Sequence, residues 1–250
     1  MYANMIRQLR TFGLVIILIA CTAKFVLSAQ QPSGNIPDIT GSWERARDPS
    51  IPNPPQPPLK SQYLKEWQAQ AQAAREASAK GQPIAERVVL CLPEGMPGMM
   101  AGPFPMEILQ SKGQVTIIQE AYTQVRRILL DRQQKPVDDV EPGFYGYSVG
   151  HWDGGTLMAD TIGIREDVRY QNVPHSKDIH IKERISLGAN GILRDEITIE
   201  DPTVLEKPWT FTYGYRRMPD YQLLEYICED NREYADEKGL QKIRLDPAGR

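Results

Sequence analysis

The sequence is poor in the residues and motifs by which many enzymes are recognised. It has three histidines and three cysteines among 250 residues. The GxGxxG and phosphate-loop patterns are both absent, and His175 and His180 do not have a familiar metal-ligand spacing. The sequence therefore predicts neither a metal site nor a cofactor.

Positive charge is also scarce and scattered. The chain has 29 Lys and Arg against 32 Asp and Glu, which gives a net charge of −3. Phosphate contacts require clustered Lys and Arg, so we do not expect nucleic-acid binding. The same charge balance is poorly suited to an anionic membrane surface.

No apolar run is long enough for an ordinary transmembrane helix. The clean run from Gly13 to Ala20 is short against the roughly 20 residues that a span requires. Arg7 and Arg10 precede it, and Leu27-Ser28-Ala29 offers a cleavage site. This arrangement predicts a signal peptide over residues 1–29 and an exported protein, periplasmic or secreted. A retained anchor helix is the alternative.

A lipid anchor is a second possible outcome of export. Leu18-Ile19-Ala20-Cys21 matches a lipobox, which would make Cys21 the lipidated N-terminus. The apolar segment Phe25-Val26-Leu27 continues beyond it and favours ordinary cleavage near Ala29. Unless Cys21 is lipidated, we expect no membrane insertion after processing.

The mature chain is expected to form a single domain over residues 30–250. Loss of the leader removes three basic residues and no acid, so the net charge becomes −6. The two remaining cysteines, Cys91 and Cys228, predict a disulfide in an oxidising compartment. Two buried free thiols, or a nucleophilic Cys91, are the alternatives.

Beyond residue 104 the sequence is typical of an antiparallel β protein. Short alternating runs are separated by turn residues, and Asn190-Gly191 is a strong hairpin signal. Many consecutive hairpins usually close, because closure removes exposed edges. We therefore predict a mainly β fold, an antiparallel meander closed as a lipocalin-like barrel of about 8–10 strands. The strands are expected near 39–44, 104–110, 114–120, 124–131, 146–153, 156–162, 178–187, 192–200, 208–217 and 222–229.

One helix is expected after the first strand, near residues 59–80. Its sequence is rich in strong helix formers, and Gly81 stands where a C-terminal cap belongs. The preceding segment, residues 48–58, is dense in proline and predicts an extended linker.

Glu183 is the most unusual polar residue of the predicted strands. Alternation places it on the same face as Ile181 and Ile185, where an unpaired carboxylate is costly. One interpretation is a catalytic set of acid–base groups, composed of Glu183, His175, Asp160 and Arg184. The other is a structural ion pair with Arg126, Arg127 or Arg194.

An aromatic face is predicted in the strand near 208–217. Its members are Trp209, Phe211, Tyr213 and Tyr215. Together with Trp152 they are candidates for the wall of an apolar ligand pocket. Ordinary core packing is the alternative.

Several short motifs over residues 90–231 resemble a large group of exported bacterial proteins of unknown function. They are Cys91-Leu92-Pro93, Gly95-Met96-Pro97, the GHWDGGTL segment at 150–157, Pro174-His175-Ser176, Glu183-Arg184, Asp201-Pro202, Pro208-Trp209-Thr210 and the EYICEDN segment at 225–231. Gly41-Ser42-Trp43 is similar to the Gly-x-Trp opening of lipocalin-type barrels. The resemblance implies export and one conserved domain, and its paired cysteines are consistent with the disulfide.

These observations leave three hypotheses about function. The first is a lipocalin-like protein that binds a small apolar or amphipathic molecule in a cavity on the order of several hundred Å³. The second is a lyase, isomerase or hydrolase of a small molecule that uses Glu183 and His175. The third, motivated by the lipobox and the proline-rich segment, is a structural or interaction protein of the cell envelope.

Overall fold

The structure, a computed structural model, describes residues 36–85, 87–228 and 233–243. These residues belong to the compact unit Pro32–Arg250. The predicted signal peptide and Cys21 lie outside the described residues. Within the described ranges, no helix has the length and apolar character needed to cross a bilayer.

Nine strands form a closed barrel, which confirms the predicted fold class. β1 pairs with both β2 and β9, so the sheet has no open edge. The strands are β1 (Gly41–Arg45), β2 (Met106–Ser111), β3 (Gln114–Gln119), β4 (Gln124–Leu130), β5 (Tyr147–Asp153), β6 (Thr156–Ile162), β7 (His180–Leu187), β8 (Leu193–Glu200) and β9 (Trp209–Arg217).

The barrel is not entirely antiparallel, because β4 and β5 pair in parallel. The segment between them therefore crosses from one end of the barrel to the other, as a parallel connection requires. It includes the 3-10 turn Val137–Asp139. Other 3-10 turns are Arg87–Leu90, Ala121–Thr123 and Tyr170–Asn172, and a short hairpin, β10 (Glu233–Ala235) with β11 (Gln241–Ile243), follows the barrel.

The prediction of a strand near residues 222–229 is wrong for residues 222–228, which are the ones that the structure describes. Residues 221–227 are irregular. Because β1 already closes the barrel against β9, no edge is left for another strand. The backbone N–H of Leu224 instead donates to the Glu120 carboxylate, which also accepts a hydrogen bond from the Tyr221 hydroxyl.

The predicted helix is present as α1 (Ser61–Ala79), between β1 and β2. None of its residues is buried, although Tyr63, Leu64 and Trp67 pack against the core. A second helix, α2 (Gly98–Ala101), is a single turn.

The proline-rich segment before α1 runs along the barrel. The Trp209 indole N–H donates to the Pro55 carbonyl at 3.0 Å. Ile51 approaches β9 at Gly214, where a Cβ would lie 2.7 Å from the Ile51 Cδ1 atom. A side chain at that position would require Ile51 to shift.

The structure contains the Cys91–Cys228 disulfide, with a Cα–Cα distance of 5.6 Å. This bond confirms the predicted pairing and excludes both alternatives. It attaches the irregular segment after β9 to the loop before α2. Tyr226 reinforces the attachment, with its ring 4.9 Å from that of Tyr122.

Replacing both cysteines with serine, C91S/C228S, is expected to lower the free energy of unfolding by about 5 kcal/mol. The reason is that the bond closes a long loop, with a sequence separation of 137 between its two cysteines, and so restricts the unfolded chain. Urea unfolding of the mature protein and the variant would measure the difference. A loss below about 1 kcal/mol would indicate that the bond constrains only the peripheral segment.

Candidate functional site

The interior of the barrel contains a charged pair, Arg126 on β4 and Glu183 on β7. Both side chains are fully buried. The guanidinium donates to both carboxylate oxygens, with an Nη1–Oε1 distance of 2.7 Å. Of the two interpretations of Glu183, this contact matches the structural ion pair and selects Arg126 from its three candidate partners.

Two hydroxyl groups complete the surroundings of Arg126. Its Nη2 donates to the Thr161 Oγ1 atom at 2.9 Å, and its Nε donates to the Ser148 Oγ atom at 3.3 Å. The two hydroxyls also contact each other at 2.7 Å. A buried charge is tolerable only with such partners, so the pair is well satisfied on the Arg126 side.

A second buried acid, Asp195 on β8, lies beside Glu183. The residue directly across from Asp195 is Ile185, two positions along β7 from Glu183. The two carboxyl groups interact electrostatically, and neither Asp195 oxygen has a hydrogen-bond partner in the described part of the chain. Two neighbouring buried carboxyl groups do not readily ionise together, because their like charges repel.

Burial is the main reason that the Asp195 pKa lies well above its usual range. The negative charge of Glu183 raises the pKa further, while the positive charges of Arg126 and Arg45 partly oppose the shift. Burial therefore favours the neutral form of Asp195 beside Glu183. Glu183 remains the counterion of Arg126.

Arg45, at the end of β1, covers the aromatic face of β9. Its guanidinium carbon lies 3.8 Å from the centre of the Tyr213 ring and 5.9 Å from that of Tyr215. One Nη1–H donates to the Ala101 carbonyl at 3.1 Å, but the buried Nε has no partner among the described residues. No carboxylate in the described ranges lies within ion-pair distance of Arg45.

An aromatic ladder runs along β9 toward Arg45. It consists of Trp209, Phe211 and Tyr213, with ring centres 5.0 Å and 5.5 Å apart. Tyr170 lies on this ladder: its ring stacks on Phe211 at 5.3 Å, and its hydroxyl contacts that of Tyr213. Burial raises the pKa of both tyrosines, so both hydroxyls are neutral hydrogen-bonding groups.

A cavity lies at the end of the barrel where β7 begins, β8 ends and β9 begins. Its volume is about 20 Å³, room for one water-sized molecule. The wall is mostly apolar and includes Met96, Tyr170, Val173, Ile199, Leu205 and Trp209. His175 and Asp201 also line it.

The two polar members of the wall stabilise the surrounding loops. Both ring nitrogens of His175 face backbone carbonyl oxygens, at 2.9 Å from Ser176 and 2.9 Å from Val168. The Asp201 carboxylate accepts hydrogen bonds from the backbone and side chain of Ser176 and from the Thr203 N–H.

Helix α1 covers the loop that holds Tyr170. The Trp67 indole N–H donates to the Gln171 carbonyl at 2.9 Å. Just before the helix, Leu59 forms an isolated β-bridge with Leu205 of the cavity wall. Because α1 has no buried residue, it is attached to the barrel by few contacts.

The proposed catalytic residues do not form one cluster. Asp160 is half-buried and contacts the His180 ring at 3.1 Å, while Arg184 is exposed and lies 3.7 Å from Glu196. His175 lines the cavity at the barrel mouth, and Glu183 binds Arg126 in the interior. Among the described residues, no hydrogen bond joins Glu183 to His175, Asp160 or Arg184.

The predicted ligand-binding residues are only partly brought together. Trp209 lines the cavity, and Phe211 and Tyr213 continue from it along the ladder. Tyr215 is fully buried, and its hydroxyl donates to the Met100 carbonyl at 2.6 Å. Trp152 packs against the core from β5 and is not among the residues that line the cavity.

The sequence analysis missed three residues of this region: Asp195, Arg45 and Tyr170. Alternation with Leu193 and Ile197 would have placed Asp195 inside the barrel, and alternation with Trp43 would have done the same for Arg45. Tyr170 lies in a 3-10 turn, for which the sequence has no periodic signal.

Comparisons with known proteins leave the site without a family assignment: no family model and no curated protein matches the chain. Within the described residues, no group of three or more His, Cys, Asp or Glu side chains is arranged to hold a metal ion. The interpretation of the site therefore rests on its geometry.

Proposed function

We propose that this chain is an exported protein that binds a small apolar or amphipathic molecule at the mouth of its barrel. The main support is the apolar cavity beside Trp209, continuous with the aromatic ladder of β9. Ligand sites are typically concave, largely apolar and furnished with a few polar groups. The disulfide agrees with an oxidising compartment, which supports export.

Ligand entry requires the elements that cover the cavity to move. The cavity of about 20 Å³ is far smaller than a site for a ligand larger than water. Tyr170 occupies the adjacent groove, and α1 touches the same turn through Trp67. We infer that outward movement of the 170–172 turn, together with α1, opens the groove along Trp209 and Phe211.

The acid–base alternative has weaker support in the geometry. It requires Glu183 and His175 to act on one substrate, whereas their contacts involve Arg126 and backbone carbonyls respectively. The envelope-interaction alternative rests on the lipobox at Cys21, which lies outside the described residues, and on the proline-rich segment 48–58, which packs along the barrel.

Filling the cavity is expected to weaken binding by about tenfold or more. Val173 lies in the wall, so V173F would place an aromatic ring in the space that a ligand needs. Neutral probes of increasing size, indole and 1-octanol, would be tested by the rise in thermal stability that binding causes. A ligand at about 100 times its Kd stabilises the folded protein by about 2.7 kcal/mol.

T210F is the matched control, because Thr210 lies on β9 but is exposed on the outside of the barrel. It should bind the probes as the native protein does. Native mass spectrometry of protein purified from its own host would show directly whether a ligand is carried. The proposal fails if the native protein carries no ligand and no probe binds, or if V173F binds as well as T210F.

A further inference from the structure

Arg45 has unused binding capacity beside the aromatic ladder. Its Nε–H is buried without a partner, and no carboxylate of the described chain forms an ion pair with its guanidinium. A buried donor without a partner is costly, and natural proteins rarely retain one. This unsatisfied donor suggests that the site is complete only when something else is bound.

The charges around Arg45 indicate the sign of that missing partner. Glu183 balances the charge of Arg126, with which it forms two hydrogen bonds. Burial raises the pKa of Asp195, which favours its neutral form. Arg45 is half-buried and has no carboxylate within ion-pair distance among the described residues, so its positive charge favours an anionic partner.

The route from the cavity leads to Arg45. Trp209 lines the cavity, and the ladder passes through Phe211 to Tyr213, on whose ring Arg45 lies. Tyr170 occupies this route with an aromatic ring on Phe211 and a hydroxyl at Tyr213. The Tyr170 side chain therefore lies on this route as an amphipathic ligand would. Its apolar ring points outward, and its hydroxyl points inward.

We propose that Arg45 and Tyr213 bind the carboxylate of a small amphipathic ligand whose apolar part lies along Trp209 and Phe211. This assignment rests on the proposed binding function and specifies its ligand class. The guanidinium and the phenol can both donate hydrogen bonds, so two donors converge where carboxylate oxygens would lie. Tyr170 moves aside as the ligand enters.

The experiment compares carboxylates with their uncharged esters. Calorimetric titration of the full mature chain, with its disulfide intact, would use 3-phenylpropionate and octanoate against the two methyl esters near neutral pH. Each carboxylate should bind about tenfold or more tightly than its ester, because it gains hydrogen bonds to a charged group. R45Q should abolish this preference, and R45K should retain part of it.

Two further variants separate the possible causes. R216Q removes an exposed arginine of β9 that pairs with Glu44, and it should leave the preference intact. D195N keeps a neutral, hydrogen-bonding side chain and should also leave it intact. Thermal melting of each variant would confirm that the protein is folded.

The outcomes distinguish this inference from the function on which it rests. Equal binding of acids and esters, or a preference that survives in folded R45Q, would overturn the carboxylate site while leaving an apolar binding protein. Tighter carboxylate binding by D195N would mean that Asp195 is the counterion of Arg45, which also overturns it. If neither acids nor esters bind, the binding function itself fails for these compounds.

Discussion

Replacing Glu183 with leucine is expected to lower the free energy of unfolding by about 3–5 kcal/mol, one of the largest single-residue effects in this barrel. The cause is the charge of Arg126, which would lose its counterion. Arg126 is fully buried, and Glu183 is its counterion. Without that carboxylate, E183L leaves an uncompensated positive charge in the core, and the hydroxyls of Ser148 and Thr161 cannot neutralise it.

The double variant R126M/E183L distinguishes the charge effect from lost packing. Apolar residues of similar volume often replace a buried ion pair with little loss, and sometimes with a gain of about 1–4 kcal/mol. We therefore expect the double variant to be much more stable than E183L. Urea unfolding of the native protein, both single variants and the double variant would give the coupling free energy.

The exposed pair Lys182–Glu200, which joins β7 to β8, is a control. Its Nζ–Oε2 distance is 2.7 Å, and both side chains are substantially exposed. E200Q should cost no more than about 1 kcal/mol, because solvent screens the pair. If E183L costs as little, Asp195 has ionised to replace Glu183, and the combination E183L/D195N should then restore the full loss.

The position of Glu183 shows what the period-two alternation of a strand can predict and what it cannot. Period-two spacing placed it among Ile181 and Ile185, and the structure buries all three. Its partner was not determined, because Arg126 and Arg127 are adjacent and point to opposite faces of β4. The pairing of β4 with β3 and β5 fixes which arginine faces inward, and that register includes a parallel step absent from a simple meander.

The helix and the barrel were predictable, whereas the site was predicted only in part. Trp209 and Phe211 lie on a strand with clear alternation, so their common face could be derived. Tyr170 depends on a turn in which Gln171 and Asn172 both have positive φ, at 51° and 59°. Such a turn arises from tertiary contacts, including the Trp67–Gln171 hydrogen bond, and leaves no periodic pattern.

Replacing Asp195 with asparagine is expected to raise the free energy of unfolding near neutral pH. The gain should increase with pH. The carboxyl is fully buried, and burial holds its pKa well above the usual range. In the unfolded chain an aspartate loses its proton near pH of about 3.9. Above that pH, folding must return a proton to Asp195, whereas asparagine needs none.

The sign of the pH dependence follows from proton counting. Between the unfolded pKa and the raised folded pKa, the native state holds one more proton than the unfolded state. The native protein therefore loses about 1.36 kcal/mol of stability per pH unit across that window, relative to D195N. The contribution of Asp195 to the free energy of unfolding is greatest below the pKa that Asp195 has in the unfolded chain. It falls as the pH rises from that value through the pKa of the folded state.

Urea unfolding of the native protein and D195N over a series of pH values would test this expectation, since the difference between them isolates the contribution of Asp195. D153N is the matched control, because Asp153 is exposed beside the β5–β6 turn and should give a nearly constant difference. A difference for D195N that does not change with pH would mean that Asp195 is ionised in the folded barrel. In that case Asp195 itself balances the charge of Arg45, and the argument for an anionic ligand loses its basis. The proton on Asp195 therefore links the stability of the barrel to the kind of ligand that it can bind.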